Sequence, residues 1–599
     1  MASLPLFPSL FPSLTPLPLP HPPPSPLFPP SSLTHPPPSP PSLPHPSSPP
    51  SPLFPSLIPS LIPHPSSPPL FPSLIPPLSS PPHPPPLFPP SSLTPLPLPL
   101  PLPSPLFPSL TPLPLPHPSS PPSPLFPSLS CFGSRMEFGT AGLRAAMGPG
   151  ISCMNDLTII QTTQGFCKYL EQCFGQSLKE RGVVVGFDAR AHPPSGGSSR
   201  RFASLAAAVF SCRGVPVHLF CDITPTPFVP FAVSHLGLCA GVMVTASHNP
   251  KQDNGYKVYW ENGAQIVPPH DKGISVAIEA NLEPWPESWD ITSLSHSPLL
   301  KDPFQDIHTE YYRTIQQHCH HRDINKSSEV KIVHTSVHGV GHAFVQSAFK
   351  AFDLRPPYAV EEQKDPDPEF PTVKYPNPEE GKGVLVRSYC SSGQRPDADR
   401  LAVAEQQKGG QWRVFSGNEL GALLGWWVYQ CWKQTNPDQS TVKSVYMLAS
   451  TVSSKILRAI ALKEGFHFEE TLTGFKWMGN RARELTVHYT HADFEEAIGY
   501  MCGSAVLDKD GVSAAAINIT LSQQLTAVYE EYGYHITKNS YFICHDQAVI
   551  RAMFDRLRHY DNQEDVSYPR QCGGVAITAV RDLTTGYDSS QADNKAVRR

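Results

Sequence analysis

The side chains best suited to chemistry sit in one short run, Thr245-Ala246-Ser247-His248-Asn249-Pro250, between the apolar stretch Leu238 to Val244 and the turn-rich Lys251-Gln252-Asp253-Asn254-Gly255. A buried strand that stops abruptly at polar turn formers presents one hydroxyl on a tight loop, which makes Ser247 a candidate nucleophile. The same residues also suit a capped turn, because Ser, Asn and Pro are ordinary turn formers. A serine hydroxyl is a poor nucleophile unless activated, and no Gly-x-Ser-x-Gly elbow surrounds this one, so a hydrolase triad is not expected. A second run, Phe138-Gly139-Thr140-Ala141-Gly142-Leu143-Arg144, offers two glycines for close backbone approach, a hydroxyl and the forked cation of Arg144, a set that suits a phosphate.

The elements that must hold these runs alternate. Asn155 to Phe174 carries apolar residues at helical spacing, and Val183 to Asp188 reads as a buried strand ending in an acid. Ser198 to Cys212 is again helical, and Val215 to Phe220 is a strand leading into Thr224-Pro225-Thr226-Pro227. That order predicts an α/β domain with a largely parallel sheet, whose ligand loops lie at the carboxyl ends of its strands, where Ser247 falls. Further on, Val330 to Gly339 reads as a strand and turn. On a strand His334 and His338 would stand about 13 Å apart, too far to share an ion, so both read as core and turn residues. Asp365-Pro366-Asp367-Pro368-Glu369 reads as an exposed loop. Gly417 to Trp427 reads as a helix, Tyr446 to Ser450 as a strand and Lys455 to Lys463 as a helix, together a further α/β domain.

The first 134 residues contain no charged side chain, and all 45 basic and 50 acidic residues follow from Arg135 onward. Their Pro-dense repeats predict a disordered or polyproline II segment that is neither a signal peptide nor a membrane span. Pro-x-x-Pro is abundant there, but no basic residue flanks it, which argues against docking to SH3- or WW-type domains. A formal charge of −5 gives no basic field for nucleic acid or an anionic membrane. Thirteen cysteines without Cys-x-x-Cys spacing argue against a disulfide framework or a structural zinc site and fit a reducing cytoplasm.

Five runs occur in an order that resembles the α-D-phosphohexomutase superfamily: Phe138 to Arg144, Thr245 to Pro250, Asp397-Ala398-Asp399-Arg400, Gly474-Phe475-Lys476-Trp477 and Phe494 to Tyr500. Asp222 to Phe228 and the Pro250 after Asn249 favour its phosphopentomutase branch. The resemblance implies a multidomain α/β enzyme with mixed parallel sheets that interconverts the 1-phosphate and 5- or 6-phosphate forms of ribose, deoxyribose and glucose. It implies a phosphoserine at Ser247, a sugar 1,6- or 1,5-bisphosphate intermediate and Mg²⁺. Ser247, Asp397 and Asp399 would hold the ion, with His248 and Asn249 shaping the loop and Lys257 and Arg144 acting beside it. Arg400, Thr473, Gly474, Lys476, Glu495 and Glu496 would bind substrate, since carboxylates accept from sugar hydroxyls and lysine neutralises phosphate. The implied partition is a Pro/Ser/Leu-rich segment at 1–134, domain I at 135–300, domain II at 301–412, domain III at 413–535 and the start of a truncated domain IV at 536–599.

Two departures from the pattern stand out. Asp-x-Asp-x-Asp-Arg is expected at the metal loop, and the first acid is replaced by Arg395. The preceding Arg387 to Gly393 lacks the apolar run that should place the loop, so the loop is expected to be disrupted, and the stretch from Val386 to Arg395 reads as a displaced exon junction. The family's Arg-x-Ser-Gly-Thr phosphate clamp does not occur before Arg599. The competing reading is therefore a catalytically impaired homologue that at most binds sugar phosphates. Deleting residues 1 to 133 is expected to leave the melting temperature and any phosphoryl transfer unchanged, because that segment offers no charged surface to pack. A thermal scan of the truncated chain checks this, and a shift of several degrees would contradict it.

Overall fold

A computed structural model describes residues 130–378, 390–485, 492–517, 521–537, 544, 546–560 and 567–590. The Pro-rich repeats, with the disorder and docking expectations attached to them, lie outside the described residues. Ser130–Gly133 is a short helix whose Cys131 carbonyl accepts from the Ser152 amide at 3.3 Å.

Three sheets carry the chemistry. The first has six strands in the order Leu143–Ala146, Asp253–Trp260, Ala240–Val244, Val183–Phe187, Val217–Leu219 and Leu300–Lys301. The last four run parallel, and Asp253–Trp260 is antiparallel to both its neighbours. Val183–Phe187 and Ala240–Val244 are buried along their whole length, as expected for parallel strands covered on both faces. One cover is the helix Asp156–Phe174, started by the Asn155–Thr158 capping box, and another is Ser199–Cys212, capped by Ser198. They meet through Phe166 and Phe210, edge to face at 6.0 Å.

The second sheet orders Tyr358–Ala359, Ile332–Thr335, Cys390–Gln394, Leu401–Gln406 and Trp412–Val414. Cys390–Gln394 is a strand although it lacks the apolar run expected ahead of the metal loop, while Arg395 still stands at that loop's first acid position. Despite its polar sequence, it pairs in parallel with Ile332–Thr335 and antiparallel with Leu401–Gln406, and so places the following loop. Backbone pairing on both edges supplies what side-chain hydrophobicity does not. His334 is buried in this sheet, its Nδ1 2.9 Å from Ser392 Oγ, and His338 sits at the turn with φ 58°. Both match the core-and-turn reading.

The third sheet orders His467–Thr471, Tyr446–Ser450, Ala492–Glu495 and Gly499–Cys502. The helix Phe228–Leu236 wedges into the largest core, where Phe228 packs 4.7 Å from Tyr311 and 5.1 Å from Phe344. Tyr311 in turn donates to the buried Asp510 at 2.7 and 2.9 Å. Beyond the third sheet come the helix Gln547–Arg558 and two short hairpins, Gln571–Cys572 with Val575–Ala576 and Arg581–Asp582 with Tyr587–Asp588. None of the described helices is long and apolar enough to cross a membrane.

Gly255 is the tightest point of the first sheet that bears on Ser247. It lies between the Thr245 and Leu143 carbonyls, and a Cβ there would fall 2.4 Å from the Thr245 oxygen. Gly255→Ala must therefore shift backbone rather than a side chain, at an expected cost of about 1–3 kcal/mol. Urea denaturation of the variant measures it.

Candidate active site

Ser247 follows the Ala240–Val244 strand at its carboxyl end, in a left-handed conformation with φ 52°. A non-glycine residue holds that conformation only where its surroundings impose it. Here the Ser247 amide donates to Thr245 Oγ1 at 2.9 Å, and its carbonyl accepts from Arg190 at 2.6 Å. Arg190 also donates to the carbonyls of Asn249, Pro250 and Asp253, at 2.8, 2.8 and 3.1 Å. One guanidinium thus satisfies four carbonyls of the loop. Asp188 anchors it from below, 3.5 Å from Arg190 Nε, while accepting from Thr245 Oγ1 and Ser199 Oγ, both at 2.6 Å.

With the backbone so fixed, the Ser247 hydroxyl is buried and has no hydrogen-bond partner among the described residues. A buried hydroxyl left without a partner in such a rigid frame marks a place built for something else. Asp397 Oδ1 and Asp399 Oδ1 share that condition. Asp397 Oδ2 is engaged: Lys257 Nζ donates to it at 2.8 Å and Thr226 Oγ1 at 2.9 Å. The Thr226 amide also donates to the Asp397 carbonyl at 2.9 Å, so the Thr224–Pro227 turn docks the acidic loop on the serine's sheet. Lys257 reaches this position from the Asp253–Trp260 strand, where it pairs with Met243.

Charge is dense and buried. Burial disfavours the charged form of Lys257, but Asp397, Asp399 and Asp508 outweigh it and keep the ammonium protonated. Burial likewise pushes the Asp399 carboxyl up, yet Lys257, Lys509, Arg400 and Arg395 hold it well below the usual carboxylate range. Lys509 lies 3.7 Å from Asp399 and 2.9 Å from Asp508. His248 is pushed down to about 3, first by burial and then by the guanidinium groups of Arg395 and Arg400.

The remaining expected residues divide. Arg144 donates to Asn249 Oδ1 at 3.1 Å and so reaches the serine loop. Arg400 donates to the Ala497 carbonyl and stands 4.0 Å from Glu495, joining the acidic loop to the Glu495-Glu496 turn. Lys476 donates to Thr140 Oγ1, which links the Gly474–Trp477 loop to the Phe138–Arg144 run. Thr473 is exposed beside Gly474, whose φ is 108°. Glu496 is held by Ser450 and Ser453, which donate to its Oε2 at 3.0 and 3.1 Å. Sequence reasoning missed the site roles of Asp188, Arg190, Thr226, Lys509 and Asp508. An acid ending a buried strand was a visible signal for Asp188, whereas nothing local marks the others.

Three alpha/beta/alpha domain profiles described as phosphoglucomutase/phosphomannomutase match this chain: domain I over residues 135–284, domain II over 309–410 and domain III over 416–534. A phosphopentomutase of Homo sapiens is 68% identical over 492 residues, covering 78% of this chain and 79% of the relative. A glucose 1,6-bisphosphate synthase of Homo sapiens is 55% identical over 485 residues, covering 77% and 78%. A phosphoribomutase of Saccharomyces cerevisiae is 39% identical over 503 residues, covering 78% and 79%. Among solved structures, a chain from Thermus thermophilus shares the fold at 22% identity and TM-score 0.53, over 67% of this chain and 84% of that one. A phosphoglucomutase/phosphomannomutase family protein from Burkholderia thailandensis does so at 19% identity and TM-score 0.50, over 65% and 79%. With the serine loop, the acidic loop and the Gly474 loop disposed on three successive sheets, this chain belongs to the phosphoglucomutase/phosphomannomutase family of phosphosugar mutases.

Proposed function

We propose that this chain interconverts the 1-phosphate and 5-phosphate forms of ribose and deoxyribose, and the 1- and 6-phosphate forms of glucose, through a phosphoserine at Ser247 and a sugar bisphosphate. The observation that carries the reading is the buried, unpartnered Ser247 hydroxyl on a loop pinned by Arg190. The 68% identity to a phosphopentomutase favours pentose phosphates. We divide the chain into functional domains at 135–300, 301–412, 413–535 and 536–599, after the Pro-rich 1–134. We place it in the cytoplasm, where its many cysteines, free thiols among the described residues, remain reduced.

In this mechanism the sugar hydroxyl forms a bond to phosphorus as the bond to Ser247 Oγ breaks. The hydroxyl gives up its proton and Ser247 Oγ gains one. Lys257, protonated beside Asp397 and Asp399, is the group suited to give that proton to Oγ and to take the sugar hydroxyl's in return, so that the step is proton-neutral. Arg144 and Lys476 neutralise the sugar's own phosphate, and Glu495 and Glu496 accept from its hydroxyls. The bisphosphate then turns, and its other phosphoryl group returns to Ser247.

The residues present suit a divalent cation such as Mg²⁺, because Ser247 Oγ, Asp397 Oδ1 and Asp399 Oδ1 are hard oxygen donors left without partners. When bound, such an ion offsets charge on the transferring phosphoryl group. Arg395 replaces an anionic ligand by a cation, and affinity for the ion falls accordingly.

Incubation with a radiolabelled hexose 1,6-bisphosphate should label the chain covalently, and Ser247→Ala should abolish that labelling. Undiminished label in the alanine variant would remove Ser247 from its role. In the wild-type chain, isomerisation of ribose 1-phosphate should outpace that of glucose 1-phosphate when both are assayed side by side, and the reverse order would contradict the pentose preference.

A further inference from the structure

Arg395 is the least expected residue of the site. It follows directly on the Cys390–Gln394 strand, is 3% exposed and donates from Nη1 to His248 Nδ1 at 2.7 Å. Its backbone is fixed on every side. The strand before it pairs on both edges, its carbonyl accepts from the Ala398 amide at 2.8 Å, and the next residue's carbonyl accepts from the Val340 amide at 2.8 Å. Gly339 lies so close beneath that a Cβ there would come within 2.2 Å of Pro396. The guanidinium is therefore delivered to the residue next to Ser247 by a rigid turn, the same turn that carries Asp397.

Chemistry fixes the partner's state. Arginine has donors only, so His248 Nδ1 must accept, and the imidazole is neutral with its proton on Nε2. The residue after Ser247 thus holds a permanent cation of planar, forked shape against one nitrogen of a neutral ring whose other nitrogen is a donor. Both are complementary to phosphate oxygens, and guanidinium matches them in pairs.

We propose that Arg395 is a built-in cation of the Ser247 loop, allowing the loop to bind a phosphate group without a divalent metal while locking His248 in its Nε2–H tautomer. The proposal rests on the reading of Ser247 as the phosphoryl-carrying residue. Arg395 acts on the phosphate directly and positions His248 as a second donor. A single fixed charge replaces part, not all, of what a doubly charged ion supplies, so metal should add to binding rather than be required for it.

The test titrates inorganic phosphate into the full chain by calorimetry, first in EDTA and then with Mg²⁺, alongside Arg395→Gln, Arg395→Lys and Arg395→Asp. Circular dichroism and thermal melts confirm that each variant is folded. Saturable binding is expected in EDTA for the wild type, weakened by at least about tenfold in Arg395→Gln, the loss typical of a charge-assisted hydrogen bond. Arg395→Lys should retain part of the affinity, and Arg395→Asp should bind phosphate only when Mg²⁺ is present. Nitrogen-15 NMR of labelled histidine gives an independent readout: the wild type should show His248 with an unprotonated Nδ1, a signature lost in Arg395→Gln. Phosphate binding that requires Mg²⁺ in the wild type, equal affinity of Arg395→Gln in EDTA, or an Nδ1–H tautomer in the wild type would each overturn the proposal. If covalent labelling of Ser247 persists in those cases, the phosphoserine reading survives. If neither labelling nor phosphate binding occurs under any condition, that reading fails first.

Discussion

The arrangement hangs on a buried ion pair, 2.8 Å long, between Lys257 on the first sheet and Asp397 on the loop that joins two strands of the second. Taking two such charges out of water costs on the order of several kcal/mol each, and their attraction repays this only when geometry is good and the remaining valences are met. Thr226 meets one by donating to the same Asp397 oxygen, and its amide ties the Asp397 backbone as well. Lys257 then extends to Asp399 at 3.6 Å, and Lys509 approaches Asp399 from the other side at 3.7 Å. A chain of alternating charges therefore runs from the first sheet through the acidic loop toward the third. Removing any member would strand a buried ion, so the loop and the serine hold each other in register.

Beneath that chain the Asp188–Arg190 pair serves the backbone rather than the ligand. Four carbonyls of the loop after Val244 converge on one guanidinium, and that of Pro250 accepts from the Asp253 amide as well. The left-handed Ser247 and the close approach at Gly255 are parts of the same bend. Its consequence is chemical: the amide and the carbonyl of Ser247 are both occupied, and its hydroxyl is what remains. Preorganisation of this kind suits phosphoryl transfer, which depends on placing charge and donors before the reaction rather than on covalent help.

Much of the first domain is written in the local sequence. Asn155 caps the helix it was expected to begin, the apolar runs from Val183 and up to Val244 become fully buried parallel strands, and Ser247 lies at a strand's carboxyl end. Period and composition suffice there because each element buries one recognisable face. The Cys390–Gln394 strand shows the limit. Its own side chains argue against a strand, and it forms because two neighbours offer complete backbone partners.

By itself the sequence determined the candidate nucleophile, the order of the alternating elements, the two surviving carboxylates and the cation at position 395. Only tertiary structure decided that Arg190 braces the serine loop, that Thr226 and Lys257 share Asp397, that Lys476 reaches Thr140, and that Arg395 meets His248. Those partners lie from tens to hundreds of residues apart, and a side chain's hydrogen-bond partner is fixed by how sheets pack, which no local pattern encodes. Identity and spacing along the chain tell which groups are available; which oxygen each nitrogen faces is settled by the burial that brings distant strands together.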